Sequence, residues 1–392
     1  MSSPQAPRHS ARITLAGLLA LAASLALTAC ALRTEEPAPA LPVADRSFFG
    51  AAPMNEQLRA LDALGLEPGD ARAALGRRLF FDQRLSRNGT VACATCHDAT
   101  IGFTDRRKVS VGIGGRRGQR NAPTVMNAAL QESQFWDGRA ATLEEQASLP
   151  IVNPIEMGFA TEQALVDRLA AIPSYAQEFR AAYGREPTFT DVTDAIAAFE
   201  RTLIFLDAPF DRWLAGDASA VSAAAQRGYA LFSGRAGCAA CHPFTDVGAL
   251  GTDHRFHAVG ESAHAPAFEA LADEALRRLA TGDPEAALDE LAIADEAGEL
   301  GRFLITRDPA DLGAFKTPSL RNVGLTAPYL HDGSLLTLRD AVAYFGARHA
   351  APPLTASETD DLVAFLFALT DVRLAAQNGQ AMARQRAALR VQ

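Results

Sequence analysis

Two short motifs contain the residue types needed to attach a haem. Both have the pattern C-x-x-C-H, formed by Cys93, Cys96 and His97 in the first motif and by Cys238, Cys241 and His242 in the second. Two thiols at this spacing can form thioethers with the two vinyl groups of a haem, and the adjacent imidazole can bind the iron. A redox-active C-x-x-C pair or a four-cysteine zinc site would leave both histidines without a role. The motifs therefore predict two covalently bound haem c groups.

The first 30 residues resemble an export signal. A polar stretch with two arginines precedes an apolar run at 13–27, which ends in Leu-Thr-Ala-Cys at 27–30. A transmembrane anchor is the weaker interpretation, because a membrane span needs about 20 apolar residues. The ending resembles a bacterial lipobox, which predicts a lipoprotein signal peptide at 1–29, lipidation of Cys30 and a flexible tether at 30–50. A signal peptide without lipidation is the alternative. We expect a periplasmic protein anchored by Cys30, in the outer membrane rather than the inner one.

The composition excludes several classes of protein. With 48% hydrophobic and 21% charged residues among 392, the chain can form folded cores, and its mean hydropathy of zero argues against a multi-span membrane protein. The 46 acidic residues outnumber the 37 basic ones and give a net charge of −9, the opposite of what nucleic-acid binding requires. Cys30 and the two motifs account for all five cysteines, so no structural disulfide is expected.

The chain contains an internal repeat. Residues 122–147 align without gaps on residues 317–342, with seven identical positions. The aligned segments lie 195 positions apart, whereas the haem motifs lie 145 apart, so the second half has about 50 extra residues after its motif. We expect an N-terminal domain at 51–210 and a C-terminal domain at 211–392, with a helical insertion at about 250–300.

Apolar spacing predicts helices and few strands. Residues 71–81 favour a helix, and apolar residues recur every three or four positions from Val192 to Leu206. Another helix is predicted to begin at Ser357, where Asp360 completes a capping-box-like pattern, and helices are expected at 268–279 and 284–292 in the insertion. The prediction is an all-α fold of two cytochrome c-type haem domains related by the repeat, with long loops such as 109–123 around the cofactors.

Longer blocks of sequence resemble one protein family. In chain order they are Leu-Phe-Phe-Asp at 79–82, Arg-Asn-Ala-Pro at 120–123, Phe-Trp-Asp-Gly-Arg at 135–139, Asn-Pro-Ile-Glu-Met at 153–157, Phe-Lys-Thr-Pro-Ser-Leu-Arg-Asn at 315–322 and Ala-Pro-Tyr-Leu-His-Asp-Gly at 327–333. Together with the haem motifs, they resemble the bacterial dihaem cytochrome c peroxidases and the related MauG proteins. The resemblance implies that hydrogen peroxide is cleaved at the N-terminal haem, while the C-terminal haem accepts electrons from a small periplasmic cytochrome c or copper protein.

The resemblance also implies roles for residues near the first haem. Glu156 is expected to be the catalytic acid/base, Gln146 to orient the peroxide, and Trp136 to relay electrons between the haems. Glu144 and Glu145 are further carboxylates in the same region. Without the resemblance, Glu156 would be interpreted as a solvated loop charge and Trp136 as a core aromatic.

The family further implies a calcium ion between the two halves, and a homodimer. Asn121 and the backbone oxygens of Thr326 and Pro328 match the calcium ligands, and oxygen is the donor that calcium takes. The alternative role of Asn121 is to cap a turn.

The insertion has no assigned role; it covers the second haem or reshapes the surface where the electron donor binds.

The first haem departs from the pattern of many family members. Their distal histidine, which closes the haem, corresponds to Ile113 in this chain, and no histidine lies between the two haem motifs. We therefore predict a first haem that is five-coordinate or water-bound and needs no reductive activation. Lys108, Met126 and Met157 are the other residues that could supply a ligand.

The second haem departs as well. Phe345 occupies the position where the family has Met or Tyr, and Tyr344 is one position away. We expect the sixth ligand of the second haem iron to be absent or to be one of the following residues: Tyr344, His349, His254, His257 or His264. Loss of a methionine ligand lowers the reduction potential of a haem.

Three functions are compatible with the sequence. The first is a periplasmic dihaem cytochrome c peroxidase. The second is a MauG-like enzyme that uses a high-valent state to oxidise a protein or organic substrate. The third is an electron-transfer cytochrome without turnover, which requires two saturated irons. The absence of a histidine at position 113 and the presence of Glu156 favour an enzyme with an open haem.

Overall fold

The structure is a computed structural model that describes residues 52–66, 69–259, 266–281, 284–294 and 296–379. The predicted signal peptide, Cys30, the tether and His264 lie outside the described residues. The helices are α1 (Met54–Ala63), α2 (Ala71–Phe80), α3 (Cys93–Cys96), α4 (Leu143–Val152), α5 (Glu162–Ala170), α6 (Pro173–Tyr183), α7 (Phe189–Glu200), α8 (Pro209–Leu214), α9 (Ala223–Ser233), α10 (Pro266–Leu279), α11 (Pro284–Ala294), α12 (Phe303–Thr306), α13 (Leu338–His349), α14 (Ala356–Phe367) and α15 (Val372–Gln377).

The predicted all-α class is confirmed. Within the described ranges the strands are two residues long each, β1 (Phe256–His257) and β2 (Phe315–Lys316), and they pair antiparallel with Phe256 opposite Lys316. Short 3-10 helices connect many of the longer helices. None of the helices in these ranges combines the length and apolar character that a membrane span requires.

In the N-terminal half, α2 and α7 cross at close range. A Cβ atom on Gly76 would lie 1.7 Å from the carbonyl oxygen of Ala195, so only glycine allows this approach. The Asp70 side chain caps α2 by accepting from the Arg72 and Ala73 amides. The predicted apolar face is only partly helical, because α7 ends at Glu200 and the last apolar positions lie in chain without regular secondary structure.

In the C-terminal half, α9 and α14 make the corresponding crossing. A Cβ atom on Gly228 would lie 1.9 Å from the carbonyl oxygen of Asp361. The predicted start of α14 at Ser357 is wrong. Thr355 caps the helix instead, because its hydroxyl accepts from the Glu358 amide at 3.3 Å and the Glu358 carboxylate accepts from the Thr355 amide at 2.9 Å.

The insertion forms the helices α10 and α11, close to the predicted ranges, followed by a 3-10 helix at Glu296–Leu300 and by α12. It has a small hydrophobic core of its own, which includes Phe268, Leu279, Leu291, Leu300 and Phe303. Its contacts reach loops of the N-terminal half through polar groups. The Gln119 amide donates to the Ile293 carbonyl at 2.7 Å, and the Arg302 guanidinium donates to the Asp137 carbonyl at 3.0 Å.

Candidate functional site

The first motif begins with the single turn of α3. The turn is fixed at its start because the Ala92 amide donates to the Thr95 hydroxyl at 2.9 Å. His97 follows, and its Nδ1 lies 3.3 Å from the Phe103 carbonyl oxygen. Burial lowers the pKa of His97 to about 4, so the imidazole is neutral at physiological pH. A neutral ring whose Nδ1 is held by a backbone carbonyl leaves Nε2 available to bind iron.

The second motif has the same arrangement on a 3-10 turn, Cys238–Ala240. The Nδ1 atom of His242 lies 2.8 Å from the Gly251 carbonyl oxygen. Burial again lowers the imidazole pKa. Both motifs therefore present a neutral histidine in the tautomer that an axial haem ligand requires.

The cysteines of both motifs fit thioether formation better than the alternatives. All four are free, and burial raises the pKa of Cys96 to about 12 and that of Cys238 to about 11. Redox-active C-x-x-C pairs have lowered thiol pKa values, so a disulfide exchange function does not fit. A four-cysteine zinc site does not form either. Among the described residues, the one metal-compatible cluster contains a single cysteine, Cys241, with Asp253 and His257.

A cavity of about 370 Å³ lies against the second motif. Most of its wall is apolar, and it includes Phe232, Cys238, Cys241, His242, Leu338, Phe345, Leu362 and Leu366. An apolar cavity with two thiols and an imidazole on its wall fits a haem. Phe345 and His349 are both in the wall, whereas the ring of Tyr344 packs under the Arg348 guanidinium, 3.6 Å from its centre.

Trp136 lies between elements of the two halves. Its indole Nε1 donates to the Asn121 carbonyl at 2.9 Å, and its own carbonyl accepts from the Lys316 amide of β2 at 2.7 Å. The side chain is half-buried and lines the cavity of the second motif. The indole is therefore held rigidly where chain from the N-terminal half meets chain from the C-terminal half.

Glu156 lies in the turn that follows α4. The turn is braced by the Ile113 amide, which donates to the Glu156 carbonyl at 2.8 Å, and by the buried Ile113 side chain, which packs against Gly158. Burial raises the pKa of the Glu156 carboxyl to about 7, with a further increase from the nearby Asp289 carboxylate and an opposing decrease from Arg139. A carboxyl with this pKa can both accept and release a proton near neutral pH.

The other sequence-predicted residues have varied surroundings. Gln146 is half-buried on α4, which ends at Val152, four residues before Glu156. Met126 and Met157 are buried, with Met126 in the wall of the second cavity, whereas Lys108 is exposed. Exposure argues against Lys108 as a ligand to a buried iron.

The three expected calcium ligands line one cavity wall. Asn121, Thr326 and Pro328 all border the cavity of the second motif. The Asn121 side-chain amide nitrogen donates to the Arg107 carbonyl at 2.8 Å, which directs the side-chain oxygen to the opposite side. A side-chain oxygen left without the amide's partner is the kind of donor that calcium takes.

Comparison with known proteins agrees with this site. The family model described as di-haem cytochrome c peroxidase matches residues 70–219. The methylamine utilization protein MauG of Methylorubrum extorquens is 40% identical over 307 residues, which cover 75% of this chain and 77% of that protein. The chain belongs to the di-haem cytochrome c peroxidase family.

Two further relatives support this family membership. Cytochrome c551 peroxidase of Nitrosomonas europaea is 37% identical over 322 residues, covering 82% of this chain and 86% of the relative. A solved structure described as a MauG-like protein associated with microbial copper homeostasis is 30% identical, with a TM-score of 0.63, and covers 88% of this chain and 97% of that one.

Sequence reasoning missed part of the site in this family member. Arg139 donates to Asp137 at 3.1 Å and to Asp289 at 3.0 Å, and its side chain is almost fully buried. Arg139 could have been found as the last residue of a block typical of the family. Asp289 could not, because nothing in the helical pattern of the insertion distinguishes it from its acidic neighbours.

Proposed function

We propose that this family member is a periplasmic cytochrome c peroxidase that reduces hydrogen peroxide with electrons from a small redox protein. The balanced reaction takes one H₂O₂, two electrons and two protons to two water molecules. The observation that carries the proposal is Glu156, a half-buried residue in the turn next to Ile113 whose carboxyl pKa is raised to about 7. An electron-transfer cytochrome needs no such proton carrier.

The protein's own residues handle the protons. Cys93, Cys96 and His97 hold the haem, which supplies the redox chemistry of O–O bond cleavage when it is bound. The ionised Glu156 carboxylate would accept a proton from one oxygen of the peroxide. The protonated carboxyl then donates that proton to the departing oxygen, which leaves as water. Gln146, with its neutral amide, orients the peroxide by hydrogen bonding.

Electrons enter at the C-terminal half in this scheme. Cys238, Cys241 and His242 hold the second haem, and Trp136 carries electrons toward the first. The support for Trp136 is its fixed position, since its indole is hydrogen bonded to Asn121 in the same half and its carbonyl accepts from Lys316 in the other half. A rigid aromatic ring that lines the second cavity and touches the N-terminal loop is suited to electron transfer.

Ile113 supports a first haem that is open in the resting protein. Its side chain offers no ligand atom and is occupied in packing against the Glu156 turn. Met126 borders the other cavity, which leaves Met157 as the buried alternative. We propose a five-coordinate or water-bound iron at the first site, and calcium held by Asn121, Thr326 and Pro328.

Two related halves are part of the proposal. Asn127 and Asn322 both have left-handed backbone angles, with φ of 58° and 62°, and each precedes a three-residue 3-10 helix. Thr142 and Thr337 then cap α4 and α13 with their hydroxyls. Matching backbone angles and caps at aligned positions support an internal repeat, and we place the boundary between the halves near residue 210.

Location and assembly are proposed from the sequence. A lipoprotein signal peptide at 1–29 would direct export, and Cys30 would anchor the mature protein, in the outer membrane rather than the inner one. Haem c attachment outside the cytoplasm fits this location. By resemblance to the family, the protein forms a homodimer.

The test is to mix the oxidised, calcium-loaded holoprotein with hydrogen peroxide and a reduced small cytochrome c, without pre-reducing the protein. Steady oxidation of the donor is the expected result. Steady turnover only after pre-reduction would contradict the open first haem. A resting first haem that is low-spin and six-coordinate would contradict it as well.

A MauG-like oxidase is the second candidate, and Phe345 favours it. The cavity wall has Phe345 where a methionine would raise the potential of the second haem. With a low-potential second haem, oxidising equivalents can be shared between the two haems. A long-lived spectral change after peroxide, without donor oxidation, would support this candidate, whereas an unchanged spectrum would indicate a saturated electron carrier.

A further inference from the structure

Asp289 connects the insertion to both loops of the proposed peroxide site. It lies on α11, and its side chain is 11% exposed. One carboxylate oxygen accepts from Arg139 Nε at 3.2 Å and from Arg139 Nη2 at 3.0 Å. The other oxygen accepts from the side-chain amide of Asn153. The two partners belong to different loops, so a single carboxylate holds them together.

Asn153 organises the turn that contains Glu156. Its side-chain oxygen accepts from the Ile155 amide at 2.9 Å, and its backbone carbonyl accepts from the amides of Glu156 and Gly158 at 3.2 and 2.9 Å. The bond to Asp289 uses one N–H of the side-chain amide. The position of the Glu156 turn therefore depends on the insertion.

Arg139 extends the same network toward Trp136. Its guanidinium lies 3.6 Å from the centre of the Phe135 ring and donates to both oxygens of the buried Asp137 at 3.1 Å. Two carboxylates thus hold one arginine, and the loop that contains Trp136 is fixed on both sides. Removing Asp289 leaves the buried guanidinium with Asp137 as its remaining paired carboxylate, and Glu156 is a further carboxylate whose charge acts on Arg139.

We propose that Asp289 is a positioning residue for peroxide reduction, through which the insertion sets the orientation and the charge environment of Glu156. The inference rests on the proposed function of Glu156 as the proton carrier. The charged and titratable groups that act on Glu156 are Arg139 from the 135–139 loop, Asp289 from α11, and the thiols of Cys93 and Cys96 in the first haem motif.

The charge of Asp289 has a defined effect on Glu156. A second carboxylate nearby disfavours the ionised form of Glu156 and so raises its pKa, which is about 7. The reaction with peroxide begins with proton acceptance, so its rate rises with pH through this pKa. Removing the negative charge at Asp289 therefore moves the rising part of the pH profile to lower pH.

The experiment compares Asp289→Asn with Glu290→Gln in the holoprotein. Glu290 is the next residue on α11 and is 57% exposed, so its variant makes the same charge change facing solvent. The Glu156 carboxyl is titrated by infrared difference spectroscopy against Glu156→Gln, and the rate of reaction with peroxide is measured from pH 5 to 9. We expect both midpoints to fall by about one pH unit in Asp289→Asn, and to stay unchanged in Glu290→Gln.

Each outcome decides the inference separately from the proposed function. An unchanged infrared midpoint in Asp289→Asn would overturn the role of Asp289 even if peroxide turnover is normal. A shifted midpoint in a protein without turnover would support Asp289 and overturn the peroxidase.

Asn153→Ala provides a second variant that leaves the charge in place, should Asp289→Asn fail to fold. It removes the bond between Asp289 and the Glu156 turn, together with the bond that the Ile155 amide donates to the Asn153 side chain. We expect the peroxide rate to fall about tenfold, since small displacements of a catalytic group are costly. An undiminished rate would contradict the positioning role.

Discussion

The segments 122–147 and 317–342 show how one backbone can serve two purposes. Each closes a narrow turn with a single antiparallel bridge, Gln134 to Ala140 in the first and Tyr329 to Leu335 in the second. Within that turn, Trp136 of the first segment aligns with His331 of the second. The indole of Trp136 is hydrogen bonded to a backbone carbonyl, whereas the ring of His331 stacks on Phe315 at 3.8 Å.

The aligned aspartates of the two segments differ in burial and in hydrogen-bond partners. Asp137 is fully buried and paired with Arg139, whereas the aligned Asp332 is half-buried and caps its own turn by accepting from the Ser334 amide. Beyond the repeat, the first half continues to Glu156, while α13 brings Phe345 to the second cavity. The comparison indicates that the two segments share a backbone but differ in the side chains they carry, and under the proposed function proton handling belongs to the first half.

The largest effect is expected from removing each haem in turn. Cys93→Ala with Cys96→Ala should abolish the reaction with peroxide, because the first haem is lost. Cys238→Ala with Cys241→Ala should leave a single reaction with peroxide but abolish steady turnover. Haem content per chain, measured as the pyridine haemochrome, should fall from two to one in both proteins. A peroxide reaction that survives the first pair of changes would reverse the assignment of the halves.

Replacing the proton carrier should have the next largest effect. Glu156→Gln keeps the shape of the side chain but removes its ability to accept a proton, so turnover should fall roughly 10²–10⁴-fold. Both haem spectra should stay unchanged. Glu132→Gln changes an exposed glutamate of the first segment and serves as the control. Normal turnover in Glu156→Gln would contradict the role of Glu156 as proton carrier, and with it the proposed chemical difference between the halves.

The glycine crossings offer a test of what the halves have in common. Gly76→Ala and Gly228→Ala should each lower the free energy of unfolding by about 1–3 kcal/mol, because the added methyl group must push apart two tightly packed helices. Helix propensity alone would predict that replacing glycine with alanine raises the free energy of unfolding by about 1 kcal/mol. Denaturant titration shows whether the free energy of unfolding falls or rises. Ala74→Gly, on an exposed face of α2, measures the contribution of helix propensity by itself. A stabilised Gly76→Ala protein would contradict the close crossing.

The smallest effect is expected from a change in the second cavity. Phe345→Met should give the second haem a thioether ligand, make it low-spin and raise its reduction potential, while the first haem stays unchanged. Spectroelectrochemistry can follow both haems, and Phe345→Leu provides an apolar control without a ligand atom. If Phe345→Met leaves the spin state of the second haem unchanged, Phe345 does not lie at the distal position.

The sequence predicts those features of the fold and site that depend on local patterns. The haem motifs are local because thioether geometry fixes the spacing of Cys93 and Cys96, and the helical ranges follow from apolar periodicity. The start of α14 was misplaced by two residues because Ser357 and Thr355 offer competing caps, and only backbone geometry selects between them. Resemblance to a family supplied Glu156, since a single glutamate in a loop has no distinguishing pattern.

Contacts between distant parts of the chain were beyond sequence reasoning. Asn153 and Asp289 lie 136 positions apart, and neither belongs to a motif that names the other. Helix periodicity predicts that α11 exists but not which loop its polar face touches. The proposed role of the insertion therefore depends on the packing of α11 on the N-terminal loops, which only the structure shows.

The separate core of the insertion has a consequence for local stability. Phe268, Leu291 and Phe303 pack with one another in a cluster of their own, and polar contacts attach this cluster to the N-terminal loops. Such an element can open as a cooperative unit at a lower free energy than the haem domains need to unfold. Amides of α11 should then exchange with solvent earlier than those of α7, and each opening would withdraw Asp289 and leave Glu156 more acidic until the unit closes again.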